Sequence, residues 1–407
     1  MAKRAGIGRY ENPYCVVEAH RPMPEGTRCE PLQLPTQDLA ASEGWLWQRG
    51  GEDTVVCLMH PRANFARHYL VPALLEAGFA VLCQNSRWLG NDATLVHERL
   101  LLDVAEGVRV ARQRFERVVL CGNSGGGSLY ALYLHQVAAP EGGRFTDTAA
   151  GDPFDLNRFE LPTADALILL AAHPGEGHFL LHAIDPSVSD ERDPLSCDPS
   201  LDLFAAENGF VEPPRESRYT AGFLARYRTA QEARVARIDA RAHAWVGRRR
   251  QARAAFREVP STAARRASIA TDFFVVHRTD ADPRCVDLSI DPSERDYGSI
   301  WGRRPDWTNY GPVGFGRVVT PEAWLSTWSG LSSRAEITRT GPRITLPALV
   351  IGYAGDNSIF PEDQDRIAGA LGSRDVVRVC VPGDHYGFPV ETGREAAADA
   401  IVAWLRR

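Results

Sequence analysis

Short apolar runs alternate with longer amphipathic segments over much of the chain. The runs at residues 54–59, 79–83 and 117–121 have the length of buried strands, and the segments at 68–77 and 94–115 repeat their apolar residues at helical spacing. Apolar runs without polar alternation are typical of strands that are covered on both faces of a parallel sheet. The pattern therefore predicts an α/β fold, in which a mostly parallel sheet is covered by helices on both faces.

The alternation stops after the apolar run at residues 164–172 and resumes near residue 346. The resumed pattern predicts two further strands, each followed by a helix: 348–353, 361–371, 375–381 and 391–405. We therefore predict a core of residues 1–172 and 343–407. A large, mainly helical cap (lid) of residues 173–342 is predicted to be inserted between the sixth and seventh core strands.

Residues 1–50 contain two extended-looking pieces, at 14–19 and 43–48, which are separated by Pro-rich turns. The pattern leaves open whether this region adds strands to the sheet or wraps around it.

Composition narrows the class of protein without identifying a partner. The net charge of −6 is mild for 407 residues, so it gives no reason to expect nucleic acid or an anionic membrane as a partner. No apolar run reaches the roughly 18 residues that cross a membrane, and no signal-peptide pattern follows the basic start. Four of the eight cysteines lie in apolar runs, where buried thiols are expected: Cys57, Cys83, Cys121 and Cys380. We predict a cytoplasmic protein that needs no metal or other cofactor.

The sharpest chemical motif is the G-x-S-x-G of residues 122–126, which is centred on Ser124. It follows the predicted strand 117–121 directly and leads into the next helix. Such a strand-to-helix turn holds the serine in a strained, exposed conformation, and the flanking glycines remove Cβ atoms that would clash there. The serine then lies at the carboxyl end of the sheet, where open α/β folds bind ligands. We predict Ser124 as a nucleophile, and a plain Gly-rich turn with an exposed serine is the alternative.

A serine nucleophile needs a base, and the base needs a carboxylate that orients it. His385 lies just past the last predicted strand, where a loop can return to Ser124, and Asp356 directly follows the preceding strand. The order Ser, Asp, His is the chain order that accompanies an elbow of this type. Three rival carboxylates are less well placed, two inside a helix and one beside the histidine: Asp363, Asp365 and Asp384.

The oxyanion of an acyl-transfer intermediate needs preorganised N–H donors. One donor is expected to be the backbone N–H of Gly125, the residue after the nucleophile. The second should come from the loop that contains Pro61, which itself has no N–H to donate. Arg62 is the predicted second backbone donor, with Ala63 as the alternative, and His60 is expected to tie down this loop.

These segments resemble the α/β-hydrolase superfamily over about residues 45–172 and 343–407. The serine elbow, the acid after the penultimate strand and the histidine after the last strand match that superfamily in order. The resemblance implies an α/β-hydrolase fold, with a lid at the place of the insertion. Two features depart from it: the oxyanion turn has His60-Pro61 where many members have His-Gly, and the insertion is unusually long.

Three histidines at the start of the insertion invite a metal interpretation: His173, His178 and His182. The last two are spaced i, i+4, but no glutamate of the H-E-x-x-H type lies between them. Packing or pocket-lining histidines are therefore the favoured interpretation.

The insertion is also rich in arginine and in aromatic residues. The arginines crowd its helical part: Arg234, Arg237, Arg241, Arg248, Arg249, Arg250, Arg253 and Arg257. We expect them on the solvated face of a long helix rather than in an anion or nucleic-acid site. The aromatic residues follow later: Trp301, Trp307, Tyr310, Phe315, Trp324 and Trp328. They either line a substrate pocket or form the core of the cap, and their abundance favours a bulky, apolar or aromatic small-molecule substrate.

The sequence thus predicts a serine hydrolase that cleaves a carboxylic ester, or a related lactone or thioester, through an acyl-enzyme on Ser124. Carbon–carbon bond and amide hydrolases use the same three residues and remain alternatives. A non-catalytic ligand-binding protein on the same scaffold is an alternative of another class. The sequence sets neither the substrate's identity nor the oligomeric state.

Overall fold

The computed structural model describes residues 18–407, so most of the extended piece at 14–19 lies outside the described residues. One sheet contains the strands β1 Arg28–Pro35, β2 Ala41–Gln48, β3 Thr54–Met59, β4 Ala80–Asn85, β5 Arg117–Asn123, β6 Ala166–Leu170, β7 Ala348–Tyr353 and β8 Val376–Val381. Their order across the sheet is β1-β2-β4-β3-β5-β6-β7-β8. Strand β2 is antiparallel to both of its neighbours, and all other neighbouring strands pair in parallel. The prediction of a mostly parallel sheet is confirmed.

The N-terminal region adds strands to the sheet rather than wrapping around it. Strands β1 and β2 form an antiparallel pair at one edge, and β2 joins them to β4. The predicted piece 43–48 lies within β2. The sequence had left this question open.

Helices cover both faces of the sheet. Those of six residues or more are α1 Val71–Glu76, α2 His97–Arg112, α3 Gly125–Val137, α4 Glu176–Ala183, α5 Ala221–Glu258, α6 Thr262–Ile269, α7 Pro361–Ala370 and α8 Arg394–Leu405. Successive side chains of a strand point to opposite faces. Accordingly, Val56 and Leu58 of β3 pack in one buried cluster with α1 and α8, whereas Val55 and Cys57 pack in a second with α2, α3 and α7.

One of the four cysteines that were expected to be buried is exposed. Cys57, Cys83 and Cys121 are buried, but Cys380 is exposed. Strand β8 is an edge strand with a single neighbour, and Arg378 and Cys380 lie on the same uncovered face of it. The apolar run alone did not distinguish an edge strand from a central one.

The chain between β6 and β7 contains α4, α5 and α6, a short antiparallel pair of Phe274–Val275 with Val318–Val319, and a π-helical turn at Trp324–Trp328. The apolar side of α5 and the tryptophans of this turn belong to the same buried cluster as the α1 and α8 face of the sheet. The insertion therefore packs directly on the core. Its definition as a separate cap with the limits 173–342 stays a prediction.

The long helix α5 does not expose all of its arginines. Arg234 is completely buried, with its guanidinium donating to both carboxylate oxygens of Glu191 at 2.7 Å and to the backbone oxygen of Asp185 at 2.6 Å. The expectation of a solvated position is therefore wrong for Arg234. This residue lies on the face of α5 that packs on the core, beside Val235 and Ile238. Within residues 18–407, none of the helices is both long enough and apolar enough to cross a membrane.

Candidate active site

Ser124 lies in a sharp turn between β5 and α3. Its backbone has φ 54° and ψ −123°, a conformation that residues with a Cβ rarely adopt. A Cβ on Gly122 would lie 2.5 Å from the backbone oxygen of Gly126, and one on Gly126 would lie 2.2 Å from that of Met59. The turn is therefore possible only with glycine at both positions, as the sequence motif predicts.

The turn is hydrogen-bonded to the neighbouring strand β6 and to His68, which precedes α1. The backbone N–H of Ser124 donates to the Leu170 oxygen at 3.0 Å, and the side-chain amide of Asn123 donates to the same oxygen at 2.9 Å. The other end of the Asn123 side chain accepts from His68 Nε2 at 3.2 Å. These bonds hold the backbone of the strained turn in place. The serine hydroxyl remains directed toward the carboxyl edge of the sheet.

The three predicted catalytic side chains lie within hydrogen-bond distance of one another. Ser124 Oγ is 3.1 Å from His385 Nε2, and His385 Nδ1 is 2.9 Å from Asp356 Oδ2. Asp356 and His385 are buried, at 1% and 4% exposure, whereas Ser124 is partly exposed. The histidine can thus take the serine proton at Nε2 while the carboxylate holds its other proton at Nδ1.

Backbone bonds fix the loops that carry the acid and the base. The second carboxylate oxygen of Asp356 accepts from the N–H groups of Ser358 at 2.8 Å and Ile359 at 2.9 Å. The N–H of Gly355 donates to the Gly383 oxygen at 2.9 Å, which joins the two loops directly. Because β7 and β8 are parallel neighbours, their carboxyl ends bring these loops to the same edge as the serine.

Electrostatics favour the charged form of the histidine. Burial alone lowers the pKa of His385, but the nearby Asp356 carboxylate outweighs it, with smaller contributions from Asp384 and Glu176, so the pKa is raised above its ordinary value. The imidazolium that forms when the histidine takes a proton is therefore stabilised by a fixed negative charge.

The loop after β3 is ordered by a histidine, as expected, but its N–H groups are directed at that histidine. His60 Nδ1 accepts from the backbone N–H of Arg62 at 3.1 Å and of Ala63 at 3.0 Å. Because Nδ1 accepts, the ring proton lies on Nε2. Burial, followed by the charge of Arg62, lowers the pKa of His60 well below its ordinary value, so the ring is neutral. A Cβ on Gly125 would lie 3.0 Å from His60 Nε2, which places this N–H beside the nucleophile turn.

A cavity of about 50 Å³ adjoins Ser124 and His385. Its other walls are mostly aromatic or apolar: Phe65, Ile300, Phe315 and Tyr386. Of the aromatic residues noted in the insertion, Phe315 therefore lines the site. Trp324 and Trp328 are completely buried in the core, and Trp307 and Tyr310 are exposed.

The sequence analysis missed a polar cluster beside the serine. Glu176, at the start of α4, is 2% exposed, and its Oε1 lies 2.3 Å from the position of a Cβ on Gly125. Arg62 Nε is 3.7 Å from the same oxygen, and His173 Nε2 is 3.7 Å from Oε2. Burial raises the pKa of Glu176, against the opposing effect of Arg62. The sequence pattern could have indicated this position for Glu176. The residue follows β6, and β6 pairs with β5, the strand that precedes the serine elbow.

The three histidines noted for a metal do not converge on one point. His173 faces Glu176, whereas His178 lies 3.4 Å from an oxygen of Asp363, and His182 Nδ1 donates to the backbone oxygen of His178 at 2.9 Å. Across residues 18–407, no group of three or more His, Cys, Asp and Glu side chains is arranged to hold a metal ion.

Several solved structures are similar to this chain. The α/β hydrolase GrgF from Penicillium sp. sh18 is 11% identical, with a TM-score of 0.48 over 93% of this chain and 98% of that chain. The esterase Pf2001 of Pyrococcus furiosus is 11% identical, with a TM-score of 0.43 over 96% and 97%. Est1E from Butyrivibrio proteoclasticus is 11% identical, with a TM-score of 0.43 over 92% and 97%. No protein-family model and no curated protein sequence matches the chain.

The fold assignment follows from the chain's own geometry. A parallel sheet, a serine elbow between a strand and a helix, and an acid and a histidine that follow in that order are the features of the α/β-hydrolase fold. This chain contains all of them. It therefore has the α/β-hydrolase fold.

Proposed function

We propose that this protein is a serine hydrolase that cleaves a carboxylic ester, or a related lactone or thioester, through an acyl-enzyme on Ser124. The observation that carries the proposal is the continuous relay from Ser124 Oγ to His385 Nε2 at 3.1 Å, and from His385 Nδ1 to Asp356 Oδ2 at 2.9 Å. A strained elbow that presents one serine to a buried histidine–carboxylate pair is the arrangement that activates a hydroxyl for attack.

In the first step, His385 removes the proton of Ser124 as the oxygen attacks the carbonyl carbon. The histidine then gives this proton to the departing alcohol. In the second step it activates a water molecule, which releases the acid and restores the serine. Asp356, which bonds Nδ1, stabilises the imidazolium.

The oxyanion needs two donors on the side of the elbow. The N–H of Gly125, the first residue of α3, has no acceptor within the helix and is the first donor. The predicted second donor, the Arg62 N–H, would have to leave His60 Nδ1 to serve. We therefore propose the neutral His60 Nε2–H as a second donor, because a neutral imidazole can act as an electrophile of this kind.

The cavity of about 50 Å³ is far smaller than the several hundred Å³ of a usual ligand pocket. A bulky substrate therefore requires the insertion residues Ile300 and Phe315, which line the cavity, to move. We expect turnover to depend strongly on substrate size.

The proposal is tested by hydrolysis of a p-nitrophenyl ester panel, from acetyl to decanoyl, together with labelling by a fluorophosphonate. Activity and labelling should both vanish in Ser124→Ala. They should persist in the matched control Ser128→Ala, which removes a buried hydroxyl of α3 that donates to the Gly125 backbone oxygen at 3.1 Å.

The other outcomes separate the alternatives. Strong labelling without ester turnover would mean an activated serine with another substrate, and amide and carbon–carbon bond substrates would then be tested. If the folded protein shows no labelling and no turnover, the proposal is refuted and a ligand-binding protein is favoured.

A further inference from the structure

A second, smaller cavity of about 10 Å³ touches the nucleophile on the side of α4. Ser124, His385 and Arg62 line it together with three further polar residues: His173, Glu176 and Ser358. These three are 5%, 2% and 5% exposed. The cavity thus connects the reacting serine to a group of side chains that water hardly reaches.

Each of the three polar residues has one buried atom without a hydrogen-bond partner among the described residues: Glu176 Oε1, His173 Nδ1 and Ser358 Oγ. Buried polar atoms of folded proteins are almost always paired, and each exception calls for an explanation. Here the exceptions lie around one cavity next to a nucleophile. A polar substrate group that enters this cavity can pair with them.

We propose that this cluster, the Glu176 subsite, binds a hydroxyl group of the substrate close to the scissile carbonyl, so that the enzyme prefers hydroxy-substituted esters. The inference rests on the proposed ester hydrolysis at Ser124. A hydroxyl both donates and accepts, so it can donate to the Glu176 carboxylate while accepting from the Ser358 hydroxyl. An ammonium group offers donors only, and a carbonyl offers acceptors only.

The positive charge of Arg62 beside the subsite already has carboxylate partners. The Arg62 guanidinium faces two carboxylates, with Nε 3.7 Å from Glu176 and Nη1 3.5 Å from Asp92. Burial raises the pKa of both carboxyls, against the effect of Arg62. An ionised Glu176 accepts from a hydroxyl and a protonated one donates to it, so a hydroxyl is matched in either state.

The position of Glu176 limits how far the hydroxyl lies from the reacting carbon. Its Oε1 lies 2.3 Å from the position that a Cβ on Gly125 would occupy, and Gly125 directly follows the nucleophile. The carbon that carries the hydroxyl should therefore be separated from the carbonyl carbon by only two or three bonds. Ile300 and Phe315 line both cavities beside Arg62, so an apolar part of the substrate next to the hydroxyl would contact these two side chains.

The experiment compares kcat/KM for pairs of esters that differ by one hydroxyl. For the acyl arm the pair is p-nitrophenyl butyrate and p-nitrophenyl 3-hydroxybutyrate, and for the alcohol arm it is the ethyl and 2-hydroxyethyl esters of one acid. The full-length wild type should prefer the hydroxylated member of at least one pair by roughly 10-fold or more, the discrimination that a buried hydrogen bond provides. Glu176→Leu should reduce that preference to less than about threefold.

Two further variants keep the test informative. Glu176→Gln retains a donor and an acceptor and should preserve part of the preference. Ser358→Ala removes only one hydroxyl and should weaken the preference even if Glu176→Leu does not fold. Fluorophosphonate labelling of Ser124, measured on each variant, shows whether the serine is still reactive, so a preference that is lost while labelling persists is assigned to the subsite.

Two outcomes are distinguishable. If Ser124 is labelled and esters are cleaved without preference for either hydroxylated substrate, the subsite inference is overturned while the proposed hydrolysis stands. If Ser124 is not labelled and no ester is cleaved, the proposed function itself fails, and the inference fails with it.

Discussion

Replacing Asp356 by asparagine should reverse the hydrogen bond that sets the tautomer of His385. One carboxylate oxygen of Asp356 accepts from the N–H groups of Ser358 and Ile359, and the other accepts from His385 Nδ1 at 2.9 Å. An asparagine keeps the two backbone bonds only if its carbonyl oxygen takes the first position. Its NH₂ group then faces Nδ1, which must accept, so the ring proton moves to Nε2.

The alternative amide orientation is unfavourable. It would turn the NH₂ group toward two buried N–H donors and leave both without an acceptor, at a cost of roughly 1–3 kcal/mol for each. The orientation in which the NH₂ group faces His385 is therefore favoured over the alternative by about 2–6 kcal/mol. This difference exceeds any preference of an imidazole for one tautomer.

A histidine that carries its proton on Nε2 cannot take the proton of Ser124, to which that nitrogen points at 3.1 Å. In Ser-His-Asp triads the equivalent substitution lowers kcat by roughly 10⁴-fold. That factor corresponds to about 5.5 kcal/mol of transition-state stabilisation at about 1.36 kcal/mol per factor of ten. We expect a loss of this size in kcat/KM for the best ester of the panel.

The pH dependence of activity is a second measure of the effect of Asp356→Asn. In the wild type, His385 must be neutral to act as a base, and its pKa is raised above 6.5 because the charge and hydrogen bond of Asp356, with the charges of Asp384 and Glu176, together outweigh burial. Activity should therefore fall as the pH drops through a value above 6.5. In Asp356→Asn the raising charge is gone and burial remains, so the acid limb of the residual activity should move to lower pH.

The assay is kcat/KM from about pH 5 to about pH 9, with circular dichroism to verify folding. Asp384→Asn is the matched control, because it removes a carboxylate adjacent to His385 that accepts from the N–H groups of Tyr386 and Phe388 but does not bond the imidazole. It should cost less than about tenfold. A folded Asp356→Asn enzyme that retains more than a tenth of wild-type kcat/KM would refute the reasoning.

Three further predictions concern stability. Burial lowers the pKa of His68 to about 3, so the native state resists protonation that the unfolded chain accepts below pH 6.5, and stability is lost as the pH falls from there. The drop in unfolding free energy between pH 7 and pH 5, measured with urea, should be smaller in His68→Gln by about 2 kcal/mol, and an unchanged drop would contradict this. Gly126→Ala should destabilise by about 3 kcal/mol or more and abolish activity, because its Cβ would meet the Met59 oxygen at 2.2 Å. Gly247→Ala, in open space on α5, should instead stabilise by about 0.5–1 kcal/mol, and thermal melting of both variants tests the contrast. Arg234→Leu should cost about 3–5 kcal/mol in urea unfolding, because Glu191 and two backbone oxygens lose their donor; a cost below about 1 kcal/mol would show that the buried ion pair is dispensable.

The relative placement of the three relay residues could be predicted from the sequence because each directly follows a predicted strand. Parallel strands end at one edge of their sheet, so residues after β5, β7 and β8 must approach one another wherever they lie in the chain. The need for glycine in the elbow could also be predicted from the sequence, because only glycine fits a turn in which the backbone itself fills the space of a Cβ.

The sequence could not show which polar groups lose water. Glu176 and Arg234 look like ordinary charged residues of a helix, and both are buried because distant segments pack over them. Cys380 lies in an apolar run yet is exposed, because the order of strands places β8 at the edge. Burial is a property of neighbours in space, and periodicity along the chain reports only one element at a time.

In the loop after β3, the sequence predicted the residues involved, and only the structure shows the direction of their hydrogen bonds. The sequence placed His60 and Arg62 beside the oxyanion, and the absence of an N–H on Pro61 followed from its identity alone. Only the folded loop shows that the Arg62 N–H is directed at His60 Nδ1, which leaves the ring proton on Nε2 beside Gly125. The sequence by itself thus determined the fold and the convergence of Ser124, Asp356 and His385 at one edge of the sheet, because these depend on strand order and residue type. Tertiary structure alone decided which N–H groups and buried polar side chains surround Ser124, because the direction of a hydrogen bond depends on how packed segments turn toward one another.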